Sequence, residues 1–355
     1  MIIVGVMAAV IWFVGAALGT PRQARLLMLG ILLTAILALH VVLPYGHPLR
    51  EATGRSPAFW ILLLAAVALG WGYVQVLGRV RREAVRRQTP EPPPPREPGG
   101  PLSADELGRY ARHITLREIG GPGQRRLRDA RVLVVGAGGL GSPALLYLGA
   151  AGVGTIGVID GDRVEVTNLQ RQVIHGEDDV GRPKVQSAAD AVVALNPHVT
   201  MRTYARRLTE DNADEILAQW DLILDGSDSF ATRGLVNAAA VRAEKPVIAA
   251  ALTAWEGQLA LFHPSRGGPC YACLFPEAPA AGLAPSCAEA GVAGPLPGVL
   301  GSLMALEAVK HLSGAGRTLR GRMLLFDGLD SEARVIETDG RRDCPVCGGI
   351  GVLRP

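Results

Sequence analysis

The alternation of hydrophobic and polar positions changes character about a third of the way along the chain. Residues 2–19, 26–43 and 58–77 are apolar runs without a single Lys, Arg, Asp or Glu. At about 1.5 Å per residue, roughly 18–20 such residues cross a hydrocarbon core about 30 Å thick, so the pattern predicts three transmembrane helices. Helix breakers punctuate the joins: Pro21 in the first, and Pro44, Gly46, Pro48, Gly54 and Pro57 in the second. A signal peptide would open on positive charge, whereas this chain begins Met1-Ile2-Ile3-Val4. Core helices of a soluble bundle would each carry a polar face, and these runs carry none.

From Arg131 the pattern becomes short β-like runs alternating with helical stretches, which predicts a doubly wound α/β sheet. Strands are expected at 131–135, 155–160, 198–204, 221–225, 246–251, 257–263 and 321–327. Helices are expected after Gly141 and near 184–195, 210–219, 229–243 and 298–312. Between the two patterns, residues 89–101 are dense in proline and favour an extended, semi-rigid spacer. The expected organisation is a membrane region over 1–78, a basic and Pro-rich linker over 79–101, and an α/β domain over 102–355.

Composition sharpens this picture in two places. The 48% hydrophobic content is high for a wholly soluble protein, and the excess lies in the first third. The net charge of +3 gives no global reason to expect a nucleic-acid partner. Basic residues matter locally: Arg79, Arg81, Arg82, Arg86 and Arg87 follow the third run, and Arg22 and Arg25 lie between the first two. The second loop holds Arg50 and Arg55 against Glu51. By the positive-inside rule the α/β domain is expected in the cytoplasm, beneath the inner or plasma membrane.

The expected chemistry begins where the first buried strand runs into Gly136-Ala137-Gly138-Gly139-Leu140-Gly141. Glycines between a strand and a helix let phosphate approach backbone N–H groups at a helix N-terminus. Asp160 follows at the spacing of about 20 residues that sets a carboxylate on a ribose hydroxyl. Taken alone, these features fit a dehydrogenase as well as an ATP enzyme. Hydride transfer has no use for cations along a triphosphate; adenylylation does, because charge builds on the α-phosphate and the departing pyrophosphate. Arg171 and Lys184 are the candidate neutralisers. Asp228, just past an expected strand end, could face phosphates only through Mg²⁺.

The residues Gly-x-Gly-Gly-Leu-Gly, Asp160-Gly161-Asp162-x-Val164-Glu165-x-x-Asn168-Leu169-Gln170-Arg171-Gln172 and two Cys-x-x-Cys pairs resemble the MoeB/ThiF/HesA family, relatives of the ubiquitin-activating enzymes. The resemblance covers roughly 105–350. It implies an ATP site at Gly139, Asp160, Asn168, Arg171, Lys184 and Asp228. It further implies a homodimer in which Arg112, of Arg109-Tyr110-Ala111-Arg112, reaches the partner's ATP. Ala111 and Ser229 stand where relatives commonly have Asn. The implied activity is adenylylation of the C-terminal glycine carboxylate of a ubiquitin-like sulfur carrier. A MoaD-like carrier of molybdopterin synthesis leads, and a ThiS-like carrier of thiazole synthesis is the alternative. That carboxylate, with a reference pKa of about 3.3–3.7, is ionised at neutral pH and needs no general base, so His175 is expected to pack or hydrogen-bond. A Rossmann oxidoreductase and a non-catalytic, membrane-tethered carrier scaffold are the readings from other classes.

Cys270, Cys273, Cys344 and Cys347 form two knuckles whose four thiolates would fill a tetrahedral, structural Zn²⁺ shell. Cytosolic placement argues against disulfides, and neither pair sits at a thioredoxin-like strand–helix junction. The fifth cysteine, Cys287, matches a position that in some relatives bonds the carrier or accepts sulfur. With no rhodanese-like segment after Pro355, the sulfur is expected to come from another protein.

Overall fold

The computed structural model describes residues 2–54, 56–88, 100–277, 291–348 and 350, in two compact units, Met1–Pro90 and Glu91–Pro355. Arg55, Cys287 and residues 89–99 of the expected linker lie outside the described residues.

The first unit holds helices α1 (Ile2–Ala17), α2 (Arg22–Val42), α3 (Pro48–Thr53) and α4 (Pro57–Gln88). Two stretches, Ala24–Val42 and Pro57–Leu77, are long and apolar enough to cross a membrane, with mean hydropathy 2.3 and 1.9. Only 11% and 6% of those windows is buried, so neither is a core helix of this unit. The expectation of three spans is corrected here. Helix α1 has 16 residues, about 24 Å of rise and short of the roughly 30 Å required. It ends early because Gly19 turns left-handed (φ 71°) and Thr20 Oγ1 donates to the Gly15 carbonyl at 2.6 Å. Val4, Ile36 and Trp60 form the small apolar centre where α1, α2 and α4 meet. Helix α4 continues unbroken through the basic run, so Arg79–Arg87 is helical rather than linker.

The second unit opens on three short helices, α5 (Ala104–Arg109), α6 (Ala111–Ile114) and α7 (Gly120–Asp129). A mixed α/β sheet follows: β1 (Arg131–Val135), β2 (Thr155–Ile159), β3 (Thr200–Tyr204), β4 (Leu222–Asp225), β5 (Val247–Leu252), β6 (Glu256–Phe262), β7 (Arg322–Asp327) and β8 (Glu332–Glu337). The spatial order is β3-β2-β1-β4-β5-β6-β7-β8. The first five strands in that order are parallel, whereas β6, β7 and β8 add antiparallel. Among the described residues, helices α8 (Gly141–Ala151), α9 (Lys184–Leu195), α10 (Glu210–Ala218), α11 (Phe230–Arg242), α12 (Tyr271–Leu274) and α13 (Pro295–Ser313) accompany the sheet.

Strand β1 shows why both faces are covered. Val132 and Val134 enter one core with Leu145, Leu148, Val192 and Leu300, from α8, α9 and α13. Leu133 and Val135 enter the other with Ile216, Leu217, Trp220 and Val236, mostly from α10 and α11. A period of two with both phases apolar is what a strand buried on both sides requires. Each such side chain contributes about 1.5–3 kcal/mol through burial. The reversal of strand order between β1 and β4 opens a crevice at their carboxyl ends, where sheets of this kind bind ligands.

Opposite that crevice, past the carboxyl end of β6, the rings of His263 and His311 stand 6.2 Å apart. Burial, then His311, Arg320 and Arg266, push His263 down to about 4, against a hydrogen bond to the Glu244 carbonyl. Burial and Arg320 also lower His311, with Glu307 opposing. An unfolded histidine titrates near ~6.5, so below that pH the unfolded chain binds protons the folded chain refuses. Thermal stability is therefore expected to fall as pH drops from about 6.5 toward 4, and His263→Gln should flatten that slope in melts taken between pH 7.5 and 5. A slope unchanged in the variant would remove His263 from the account.

Candidate active site

At Gly136 and Gly141 the glycine turn after β1 leaves no room for a side chain. Gly136 is left-handed (φ 93°), and a Cβ there would stand 3.1 Å from the Gly226 carbonyl oxygen. A Cβ on Gly141 would fall 1.9 Å from the Gly136 carbonyl oxygen. Gly141 is fully buried behind the turn, whereas Gly136, Gly138 and Gly139 face the crevice.

That crevice is a cavity of about 1370 Å³, above the roughly 300–1,000 Å³ usual for a small-molecule site. Asp160, Asn168, Arg171, Lys184 and Asp228 all line it. Asp160 is locked in place: Oδ2 accepts the Ala137 N–H and Oδ1 the Asp162 N–H, both at 2.8 Å. Each oxygen keeps a lone pair for a ligand hydroxyl. Lys184, the first residue of α9, has an 8% exposed side chain, with Nζ 3.2 Å from Asp162 Oδ2. Arg207 also reaches Asp162, at 3.5 Å, but is 83% exposed. Arg171, half-buried, donates from Nη1 to the Thr167 carbonyl at 3.2 Å. Asn168 closes the 3₁₀ turn Val166–Asn168 and accepts the Arg171 N–H on its carbonyl at 3.1 Å. Asp228 is exposed at the carboxyl end of β4.

His175 has the structural part expected of it. Its Nε2–H donates to the Ala137 carbonyl at 3.0 Å, and Nδ1 pairs with the Ser187 hydroxyl at 2.8 Å. The ring thus ties the glycine turn to α9, and burial holds it below the usual histidine range despite the Ala137 bond. Ser229 caps α11, its Oγ accepting the Thr232 N–H at 3.1 Å. Serine and asparagine are comparable N-caps, so this departure from the family's usual Asn is structurally mild.

Arg112, on α6, is exposed and does not line this cavity. Several lining residues escaped the sequence reading. Gln172 is 4% exposed, borders the cavity and leaves its buried Oε1 without a partner. Its place in the Asn-Leu-Gln-Arg-Gln run was the available signal. Arg233 (7% exposed) also lines the wall, as do Tyr271 and Phe275 beside the first cysteine knuckle. Nothing in their spacing announces them.

The cysteines of the two knuckles converge as expected. Sγ–Sγ distances are 3.8 Å (Cys270–Cys273), 3.7 Å (Cys270–Cys344) and 3.6 Å (Cys273–Cys347). A Zn–S bond of about 2.3 Å in a tetrahedron sets ligand sulfurs about 3.8 Å apart, so the residues fit a zinc ion and not disulfides. All four thiols are buried and free. Burial pushes Cys270 up. Burial also acts upward on Cys344, but the Cys347 and Val346 N–H groups and the Cys273 and Cys270 thiols bring it down to about 7.

A family model described as ThiF family matches residues 110–346. The sulfur carrier protein adenylyltransferase of Thermus thermophilus is 52% identical over 248 residues, covering 69% of this chain and 92% of that protein. A probable adenylyltransferase/sulfurtransferase of Mycobacterium tuberculosis, MoeZ, is 51% identical over 247 residues, again 69% of this chain. The chain spans 63% of the length of that curated relative. Among solved structures, E. coli MccB with ATP superposes with a TM-score of 0.57 at 25% identity, covering 68% of this chain and 74% of that one.

Proposed function

This chain belongs to the ThiF family, and on that premise we propose that it uses ATP to adenylylate the C-terminal carboxylate of a ubiquitin-like sulfur-carrier protein. The observation that carries the reading is the joining of a glycine turn, Asp160, Arg171, Lys184 and Asp228 around one cavity larger than a nucleotide needs. The remaining volume, walled by Leu325, Phe326 and Arg334 of β7 and β8, suits an extended peptide tail.

The reaction requires little covalent help. An ionised carboxylate oxygen attacks the α-phosphorus of ATP; the bond from that phosphorus to the bridging oxygen breaks, and pyrophosphate leaves. No proton moves. Asp160 fixes the ribose, while the turn's N–H groups and Lys184 and Arg171 offset the charge that grows on the phosphates. Asp228 would hold Mg²⁺, which when bound neutralises phosphate oxygens. Zinc at the four cysteines would be structural, since no ligand position stays open. A homodimer with Arg112 acting in trans belongs to the same proposal. Exposed Val299 and Leu306, seven residues apart and so on one face of α13, support an apolar surface for a second copy.

A MoaD-like carrier is the leading substrate and a ThiS-like carrier the alternative. We place Ala24–Val42 and Pro57–Leu77 across a membrane, with Arg22, Arg25 and the basic end of α4 on the cytoplasmic side. The test is ATP–pyrophosphate exchange by the full chain in detergent, with each carrier supplied separately. Exchange stimulated at least tenfold by one carrier names the pathway. Tight ATP binding with no exchange from either carrier would sink the reading.

A further inference from the structure

Helix α11 touches both the nucleotide turn and the cysteine knuckle, through two side chains one helical turn apart. Arg233 is 7% exposed and has no carboxylate partner among the described residues. Its Nη1 donates to the Ala250 carbonyl at 2.7 Å and its Nη2 to the Ser227 carbonyl. Ala250 lies within β5 and Ser227 in the turn after β4, next to Asp228, so the guanidinium ties that turn to the sheet. Four residues on, and so on the same face, Asn237 is 4% exposed. Its Oδ1 accepts the Tyr271 N–H at 2.9 Å, which fixes the amide's orientation, and its Nδ2 donates to Cys270 Sγ at 3.7 Å.

The knuckle also reaches the cavity directly. The Tyr271 ring lines it and packs against Phe230, the first residue of α11, at 5.8 Å and against Phe275 at 4.9 Å. A metal that draws Cys270 into its shell therefore sets the height of Asn237, and through α11 the seat of Arg233. A hydrogen bond to a ligand sulfur stabilises the thiolate form that a metal binds.

We propose that Asn237 and Arg233 are positioning residues that make α11 a strut, so that metal occupancy at the cysteine knuckle governs the placement of the Asp228 turn. Asp228's part in catalysis rests on the adenylyltransferase reading; the strut itself does not.

The test uses the full chain in detergent, loaded with zinc. Asn237→Asp keeps the acceptor for Tyr271 but loses the N–H to Cys270 and sets a charge beside the thiolates. It is expected to release zinc to a chromogenic chelator about 10–100-fold faster. The Gly226 and Ser227 amides are hydrogen-bonded to the Val135 carbonyl and to Asp225 Oδ1, at 3.0 Å each. Their hydrogen exchange should accelerate in Asn237→Asp, and also in the wild type once zinc is stripped. Arg233→Lys should speed the same amides while zinc release stays at the wild-type rate. In pyrophosphate exchange both variants should lower kcat more than they raise KM for ATP. Faster zinc loss with unchanged exchange at Gly226 and Ser227 would overturn the strut, as would wild-type zinc retention in Asn237→Asp. If the amides respond but no carrier supports pyrophosphate exchange, the strut stands and the catalytic reading fails.

Discussion

Lys184→Met is expected to lower ATP–pyrophosphate exchange by about 10²–10³-fold, the usual cost of deleting one preorganised charge at a reacting phosphate. The fold should survive the change. The Lys184 backbone N–H still bonds the Asp162 carbonyl at 3.0 Å, so α9 keeps its start. Asp162 is 53% exposed and retains Arg207 as a neighbour, so no charge is stranded in the core. Methionine keeps most of the packing of the buried stem. Arg242→Gln is the matched control: its ion pair with Asp214 is 55% exposed on the arginine side and lies outside the cavity, and such pairs contribute about 0–1 kcal/mol. Its exchange rate should stay within about threefold of wild type. Steady-state kinetics on both variants decide the matter, and a Lys184→Met loss below fivefold would remove the lysine from the phosphate site.

Gly141→Ala is expected to abolish ATP binding and to cost at least the ~1–3 kcal/mol of ordinary overpacking. The new methyl would meet backbone, the Gly136 oxygen at 1.9 Å, and backbone cannot rotate aside as a side chain can. Gly136 is itself tethered, its N–H bonded to the Ile159 carbonyl at 2.9 Å. At ~2–4 °C per kcal/mol for a unit of this size, the melting temperature should fall by about 5 °C or more. Gly138→Ala provides the contrast. Its nearest neighbour would be the flexible Gln172 Nε2 at 3.8 Å, an ordinary contact. That variant should melt within ~1–2 °C of wild type yet bind ATP more weakly, since Gly138 faces the cavity. Melting curves with and without ATP distinguish a glycine that shapes the turn from one that faces the ligand.

The sheet was legible where strands are buried on both faces, because an apolar run such as 132–135, set between Arg131 and Gly136, is too short for a helix and fills both faces of a strand. Strand β8 was not, since every residue of Glu332–Glu337 is exposed and no burial period exists to read. Helix α7 begins Gly120-Gly121-Pro122-Gly123, against local propensity, and is held by tertiary contacts: Leu127 is fully buried and Gln124 Nε2 donates to the Ala151 carbonyl at 2.8 Å. Helix α5 did carry a signal, the Ser103-x-x-Glu106 capping box, whose two bonds form at 3.3 and 2.9 Å. The first apolar run misled because hydropathy extends to Gly19, while helical geometry stops at Ala17. Lys184 and Arg171 stood out through family spacing. Arg233 did not, because both its partners are backbone carbonyls, which leave no trace in residue identity.

The two cysteine knuckles have a topological consequence. Cys270 and Cys344 meet across 74 residues, and the intervening stretch contains α13, β7 and β8. With a metal in the shell, that stretch becomes a closed ring in the folded protein, and the binding free energy of the ion adds to folding because the unfolded chain does not preform the site. A protease that cuts once inside the ring leaves two fragments still bridged by the ion. In denaturant strong enough to open the sheet but too weak to strip the ion they would still migrate together, and part once a chelator is added.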